Sequence, residues 1–345
     1  MGNRLIAILF LLLASTTTTE AQDDPPDYPL FADPAPLGLR IVAPFGELVS
    51  ELTDRPEFDA TLELTGPDAE GLETAMRIRV RGNSRVLNCD FPPLALDLPR
   101  NALGGTVFEG QNELKLVTLC KNSSSYRRYL EQEFLVYRMF GLLTDRSFRV
   151  RWAEVEFIYS DSRRPRSLLA PAFLIEEVWE VAARNRLEVV EREHVAVSEF
   201  DPVPIELLMV FQYLIGNADF EARQGPDGDD CCHNAKIIGR SGEPLVLVPY
   251  DFDNSGMIDA EYAVPNERLP IGDVTTRLYR GFCTHNENIP AAIASLNARR
   301  DAMLALLVES GEEANRRAIR YLEDSFERIN EPRRVESDLI GKCIP

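Results

Sequence analysis

The chain has 345 residues, 45% of them hydrophobic, and a formal charge of −19 at pH 7. That is enough material for one large domain or two lobes with an ordinary globular core. The acidic balance argues against general binding to nucleic-acid phosphates and against attraction to anionic membranes. At the start, Arg4 is followed by an apolar run from Leu5 to Ala14 and by small residues, Thr19 and Ala21, before Gln22. This order predicts a cleaved secretory signal over 1–21 and a secreted or periplasmic mature protein. The run falls short of the about 20 apolar residues a membrane helix needs, so no stable membrane insertion is expected. Six cysteines, an even number in a chain read as exported, suggest disulfides. Cys89 and Cys120 both follow expected strands and are the favoured pair; the other four would pair within the second half.

Residues 22–37 are rich in Pro and Asp and read as an extended leader, with extra strands up to about residue 74. Alternation then predicts strands at Ala75 to Val80, Leu94 to Leu98 and Glu113 to Leu119. From Tyr126 to Phe140 the apolar residues recur at helical spacing, with Ser123 to Ser125 available as N-cap and Gly141 as stop. Two further strands are expected at Phe148 to Tyr159 and Leu168 to Ile175. The expected organisation is therefore a β-rich part over 75–177, followed by a mainly helical part over 178–345. In the latter, Ile205 to Ile215 is apolar nearly all round and reads as a buried helix. Short strands at Ala235 to Ile238 and Leu245 to Val248 precede helices at Ile289 to Ser310 and Glu312 to Ile329.

The densest reactive cluster runs from Gly216 to Asp253. Asn217 and Asp219 follow the buried helix, His233 and Asn234 precede one strand, and Asp251 and Asp253 follow the next. Carboxylates at the ends of apolar elements are costly unless paired or metal-bound. Two rival metal readings compete. Asp251 to Asp259 matches the first nine positions of an EF-hand loop, but Tyr262 stands where a bidentate Glu is required and a strand precedes the loop. Cys231, Cys232 and His233 lack the spacing that lets two thiolates meet one zinc ion.

Taken together, R-x-R-G-N-S-R at Arg79 to Arg85, the helix ending at Phe140-Gly141, the strand ending Ile175-Glu176-Glu177, then Asn217-x-Asp219, His233-Asn234 and Pro249-Tyr250-Asp251-Phe252-Asp253 resemble the CotH family, spore-coat-type secretory protein kinases. The resemblance covers roughly residues 75–330. It implies an α+β, two-lobed atypical protein-kinase-like fold, with a β-rich N-lobe and a mainly helical C-lobe. It implies transfer of phosphate from ATP to a protein hydroxyl with Mg²⁺ or Mn²⁺. Asp219 would be the catalytic carboxylate, and Asn234, Asp251 and Asp253 would be metal-side residues. Glu177 and Val178 would meet the adenine, and Lys115 the phosphates, with Glu133 as its partner in preference to Glu131. The sequence departs from ordinary kinases: it has no G-x-G-x-x-G loop and no H-R-D triplet before Asp219. Gly104-Gly105 and Arg81-Gly82-Asn83-Ser84 are the nearest substitutes for the loop. The alternatives are a non-catalytic kinase-like module that binds a partner protein, or a cation-binding structural protein of the envelope or matrix. A protein substrate or partner is expected, and no nucleic acid.

Overall fold

The computed structural model describes residues 28–345 except 53, 67–70, 83, 100–102 and 227–228. The expected signal over 1–21 and Asn83 of the arginine-rich motif lie outside the described residues. A short helix α1 (Pro29–Ala32) leads into strand β1 (Leu37–Ala43), helix α2 (Phe45–Ser50) and strands β2 (Phe58–Thr65) and β3 (Glu73–Val80). Helix α3 (Ser84–Asn88), strands β4 (Leu94–Asp97) and β5 (Glu113–Thr118), helix α4 (Ser124–Gly141) and strands β6 (Val150–Tyr159) and β7 (Ser167–Ile175) follow.

These seven strands close into a barrel in the order β1-β2-β3-β4-β5-β7-β6. Neighbours pair antiparallel except at the seam, where β1 runs parallel to β6 from Leu37↔Ala153 to Ala43↔Tyr159. Strand alternation sets the interior: Leu37, Leu39, Ile41 and Ala43 of β1 and Met76, Ile78 and Val80 of β3 are buried, and their neighbours face outward. Strand β7 is buried on both faces along most of its length because α4 covers it from outside, with Phe134 and Tyr137 against Phe173. Helix α4 forms where its apolar spacing predicts, and the side chain of Ser123 accepts a hydrogen bond from the Tyr126 N–H at its start.

Beyond the barrel come helix α5 (Val178–Arg184), strand β8 (Glu188–Val189), helix α6 (Pro202–Ile215) and strands β9 (Ala235–Gly239) and β10 (Val246–Pro249). Strands β10, β9 and β8 form a small antiparallel sheet. Helices α7 (Ile289–Asn297), α8 (Arg300–Glu309) and α9 (Glu312–Asn330) complete the helical part; the expected single helix over Ile289 to Ser310 is interrupted at Ala298 and Arg299. Helix α6 is buried nearly all round, as its composition requires, and stops where Gly216 takes φ 68°, a left-handed conformation that glycine adopts without penalty.

The α+β class stands, but the two-lobed kinase-like expectation does not. The β-rich part closes on itself as a seven-stranded barrel instead of forming the open sheet of an N-lobe. The physical reason lies in β1 and β2. They satisfy both open edges, β2 against β3 and β1 against β6, so no strand edge of the barrel is left unpaired.

Three disulfides join Cys89 to Cys120, Cys231 to Cys232 and Cys283 to Cys343. Among the described residues no helix is long and apolar enough to cross a membrane.

Candidate active site

The end of α6 and the start of β9 bring the first two expected residues together. Asn217, 1% exposed, accepts the Asp219 backbone N–H on its Oδ1 at 2.9 Å, which fixes the turn leaving the helix. Asn234 adopts φ 53° just before β9 and aims its Nδ2 at Asp219, 2.7 Å from the backbone carbonyl and 3.2 Å from Oδ2. Asn254 Nδ2 donates to the same Oδ2 at 3.0 Å, and His233 Nε2 lies 3.2 Å from Oδ1. Burial opposes ionisation of Asp219, but the contacts with His233 and Asn254 outweigh it and hold the carboxyl below its ordinary range. The same contact raises the His233 pKa.

Asp251 follows β10 with φ 61°; its N–H donates to the Tyr137 hydroxyl at 2.8 Å, and the Tyr250 N–H donates to the Asn234 carbonyl at 3.0 Å. Strands β9 and β10 thus deliver Asn234 and Asp251 side by side. The Asp251 side chain remains 43% exposed, and its pKa is pushed upward by its protein surroundings, then by Asp253, with the Asp219 charge contributing.

Asp253 does not share the opening with Asp251. Its Oδ2 is held by Arg85 Nε at 2.8 Å, and only 13% of the side chain is exposed. Arg85 also pairs with Glu133 of α4 and lies 3.9 Å from Asp251 Oδ1. Glu133 is therefore not the partner of Lys115. On β5, Lys115 stands opposite Ala95 and Ile175, and its Nζ reaches Glu177 Oε2 at 2.7 Å. Strand register directs Lys115 to the end of β7 rather than to α4. Burial lowers the Lys115 pKa and raises that of Glu177, each opposed by the other's charge. Glu177 stands at the N-cap of α5: its N–H donates to the Glu180 carboxylate at 2.9 Å, and its carbonyl accepts from the Glu180 and Val181 N–H groups. The backbone groups of Glu177 are thus committed within the protein, contrary to the adenine-contact role expected of that residue.

The rival metal readings lose their ligands. Cys231 and Cys232 are bonded to each other. In the EF-hand-like loop, Asp253 is tied to Arg85, Asn254 to Asp219 and Val264, and Asp259 to Arg317. Among the described residues no group of three His, Cys, Asp or Glu side chains stands ready to hold a metal ion. What remains of the expected metal-side oxygens is the 43% exposed Asp251 carboxylate and the amide oxygen of Asn234, whose Nδ2 alone is given to Asp219. Hard oxygen ligands in such small number suit Mg²⁺, which keeps waters and takes one or two carboxylates plus substrate phosphates. They do not suit an all-protein cage.

Sequence reasoning assigned no role to Arg85, Asn254 or Tyr137, and placed Arg81 only in a turn that could face phosphate. Both arginines stand in the R-x-R-G-N-S-R motif, which was the available signal. Arg81 follows β3, is half-buried, and lies close enough to act electrostatically on Asp251, Lys115 and Glu177; Lys236 of β9 also acts on Lys115. The cavity touching Asp219, lined in part by Asn254, Val264 and Pro265, is 10 Å³, room for about one water. Cavities of 400 and 720 Å³ lie elsewhere, beside α4 and at the β1–β2 rim of the barrel. No protein-family model matches the chain, and no curated protein matches it.

Proposed function

We propose that the Asp219–Asn234–Asp251 centre transfers phosphate from ATP to a protein hydroxyl with Mg²⁺ or Mn²⁺, in an exported, CotH-like enzyme. One observation carries the reading: Asp219, Asn234 and Asp251 come together from three separate stretches of chain, and Arg81 lies close enough to act electrostatically on Asp251 as well as on Lys115. In a chain of net charge −19, that pairing of carboxylates with a local basic group matches what polyphosphate requires. A divalent ion bound by Asp251 and Asn234 would neutralise charge on the phosphates. Asp219, kept ionised and oriented by Asn217, Asn234 and Asn254, accepts the proton of the acceptor hydroxyl. That oxygen forms the new P–O bond, and the bond to the departing diphosphate breaks. The disulfides are compatible with an oxidising compartment outside the cytoplasm.

A second reading, a non-catalytic module that binds a partner protein, is favoured by the tie between Asp253 and Arg85 and by the small cavity at Asp219. ATP binding to the oxidised protein, with and without Mg²⁺, separates the two. The enzyme reading expects Asp251→Ala to abolish the metal-dependent part of binding. It expects Asp219→Ala to spare binding while lowering turnover by about 10²–10⁴-fold, the usual range for a general base. Equal ATP affinity in the parent and Asp251→Ala, with Mg²⁺ present, would overturn it.

A further inference from the structure

Away from the Asp219 centre, α4 and α9 face one another across a cavity of 270 Å³. Helix α9 lines it with Arg316, Arg317 and Arg320, and α4 with Arg128 and Gln132; Met257 supplies apolar floor. Residues at spacings of three and four lie on one helix face, so each helix presents its set to the other. Arg316 is matched by Glu313 and Arg317 by Asp259. Arg128 lies over the Tyr129 ring, with 5.3 Å to its centroid, and neither Arg128 nor Arg320 has a carboxylate partner among the described residues. The pocket thus holds two unmatched guanidinium groups in a protein that is otherwise strongly acidic. Crowded like charges are unfavourable until an anion joins them.

Gln132 adds an independent indication. It is 3% exposed, its Nε2 donates to Asn315 Oδ1 at 2.8 Å, and its Oε1 is buried without a partner. The orientation of this amide is set from below, because Asn315 spends its own Nδ2 on the Leu307 carbonyl at 3.0 Å and offers only its oxygen. A buried acceptor left open is costly, so the pocket fits a ligand that brings a hydrogen-bond donor together with negative charge. A phosphomonoester dianion lacks that donor, and inorganic phosphate brings at most a hydroxyl or two. A run of Asp and Glu has it in every backbone N–H.

We infer that the α4–α9 arginine pocket binds an acidic peptide segment of a partner protein, with carboxylates on Arg128 and Arg320 and a donor N–H on Gln132 Oε1. Arginine clusters recognise acidic motifs in this way through charge-assisted, bidentate hydrogen bonds. The net charge of the whole protein does not forbid it, since repulsion beyond about 8 Å is screened at physiological ionic strength while contact pairs persist.

The test is fluorescence anisotropy of a short labelled Asp/Glu peptide on the full oxidised protein, with the matching Asn/Gln peptide as control. Saturable binding of the acidic peptide alone is expected. Arg128→Ala with Arg320→Ala should weaken it about tenfold or more, the loss of charge-assisted contacts. The unfolding midpoint should not change, because Arg320 is exposed and Arg128 makes no buried ion pair. Arg320→Glu should give the same direction from a single exposed position. Asp251→Ala should leave peptide binding intact, so failure of the phosphoryl-transfer reading and failure of this one are distinguishable. Equal binding to parent and double variant would overturn the inference, and so would displacement by inorganic phosphate at the peptide's own concentration.

Discussion

Arg85 is the cation on which the carboxylates around it depend. It is 9% exposed and joins Glu133 of α4 to Asp253 beyond β10, with Asp251 at 3.9 Å. Removing one member of a buried ion network leaves the others charged and unsolvated, which typically costs about 3–5 kcal/mol. Arg85→Met is therefore expected to destabilise the protein by that amount in urea unfolding, and Glu133→Gln in the same chain should recover part of it. A loss below about 1 kcal/mol, the scale of a surface pair, would show that the network is effectively solvated. At this scale the sequence was informative about position and poor about partners. Asp219, Asn234 and Asp251 each follow or precede an apolar element, and that placement brings them together. The Lys115–Glu133 pairing failed because a strand's face and a helix's rotation, both set by packing, decide which charges meet. Register turns Lys115 to Glu177 and leaves Glu133 to an arginine visible in the motif but given no role.

Helix α6 shows how an element's composition can hide a charge. The run from Ile205 to Ile215 reads as buried, and it is; Glu206 inside it has no exposed surface. The Tyr279 hydroxyl donates to its Oε1, while Oε2 is buried without a partner. Burial pushes the Glu206 carboxyl from 4.5 up to about 7. The folded state then holds a proton that the unfolded chain releases above about pH 4.5. Stability present below that pH falls as pH rises toward 7 and is lost above it, by about 2–4 kcal/mol from this one group. Glu206→Gln keeps an acceptor for Tyr279 and removes the proton difference. Its unfolding free energy should decline less than the parent's between pH 4.5 and 7, making the variant more stable at pH 8. Parallel pH profiles for the two proteins would refute the assignment. The strands, by contrast, were largely legible, because period-two alternation survives whatever the sheet does next. Which strands become neighbours was not.

The closure of the barrel is the feature the sequence concealed at the scale of the molecule. It rests on a parallel pairing between β1 and β6, which β2 to β5 separate along the chain. No local pattern encodes such a partnership; β1 looks the same whether it flanks an open sheet or seals a closed one. An expectation of two lobes followed naturally, and it fails for that reason. Covalent closure was more accessible, since cysteine number bounds it and position narrows it. The Cys283–Cys343 bond spans 60 residues and pins the chain's last segment, where the Cys283 N–H donates to the Ile344 carbonyl at 2.9 Å and the Ile344 N–H to Gly281 at 2.8 Å. Closing a loop of that length restricts the unfolded chain by roughly 4 kcal/mol. Replacing both cysteines by Ala should lower the unfolding free energy by about that much. Hydrogen exchange should then speed up at the amides of positions 283 and 344 while the barrel amides of β1 and β6 keep their relative protection, because the tail opens locally. A variant that loses protection evenly throughout the molecule would show instead that the C-terminal segment unfolds only with the barrel.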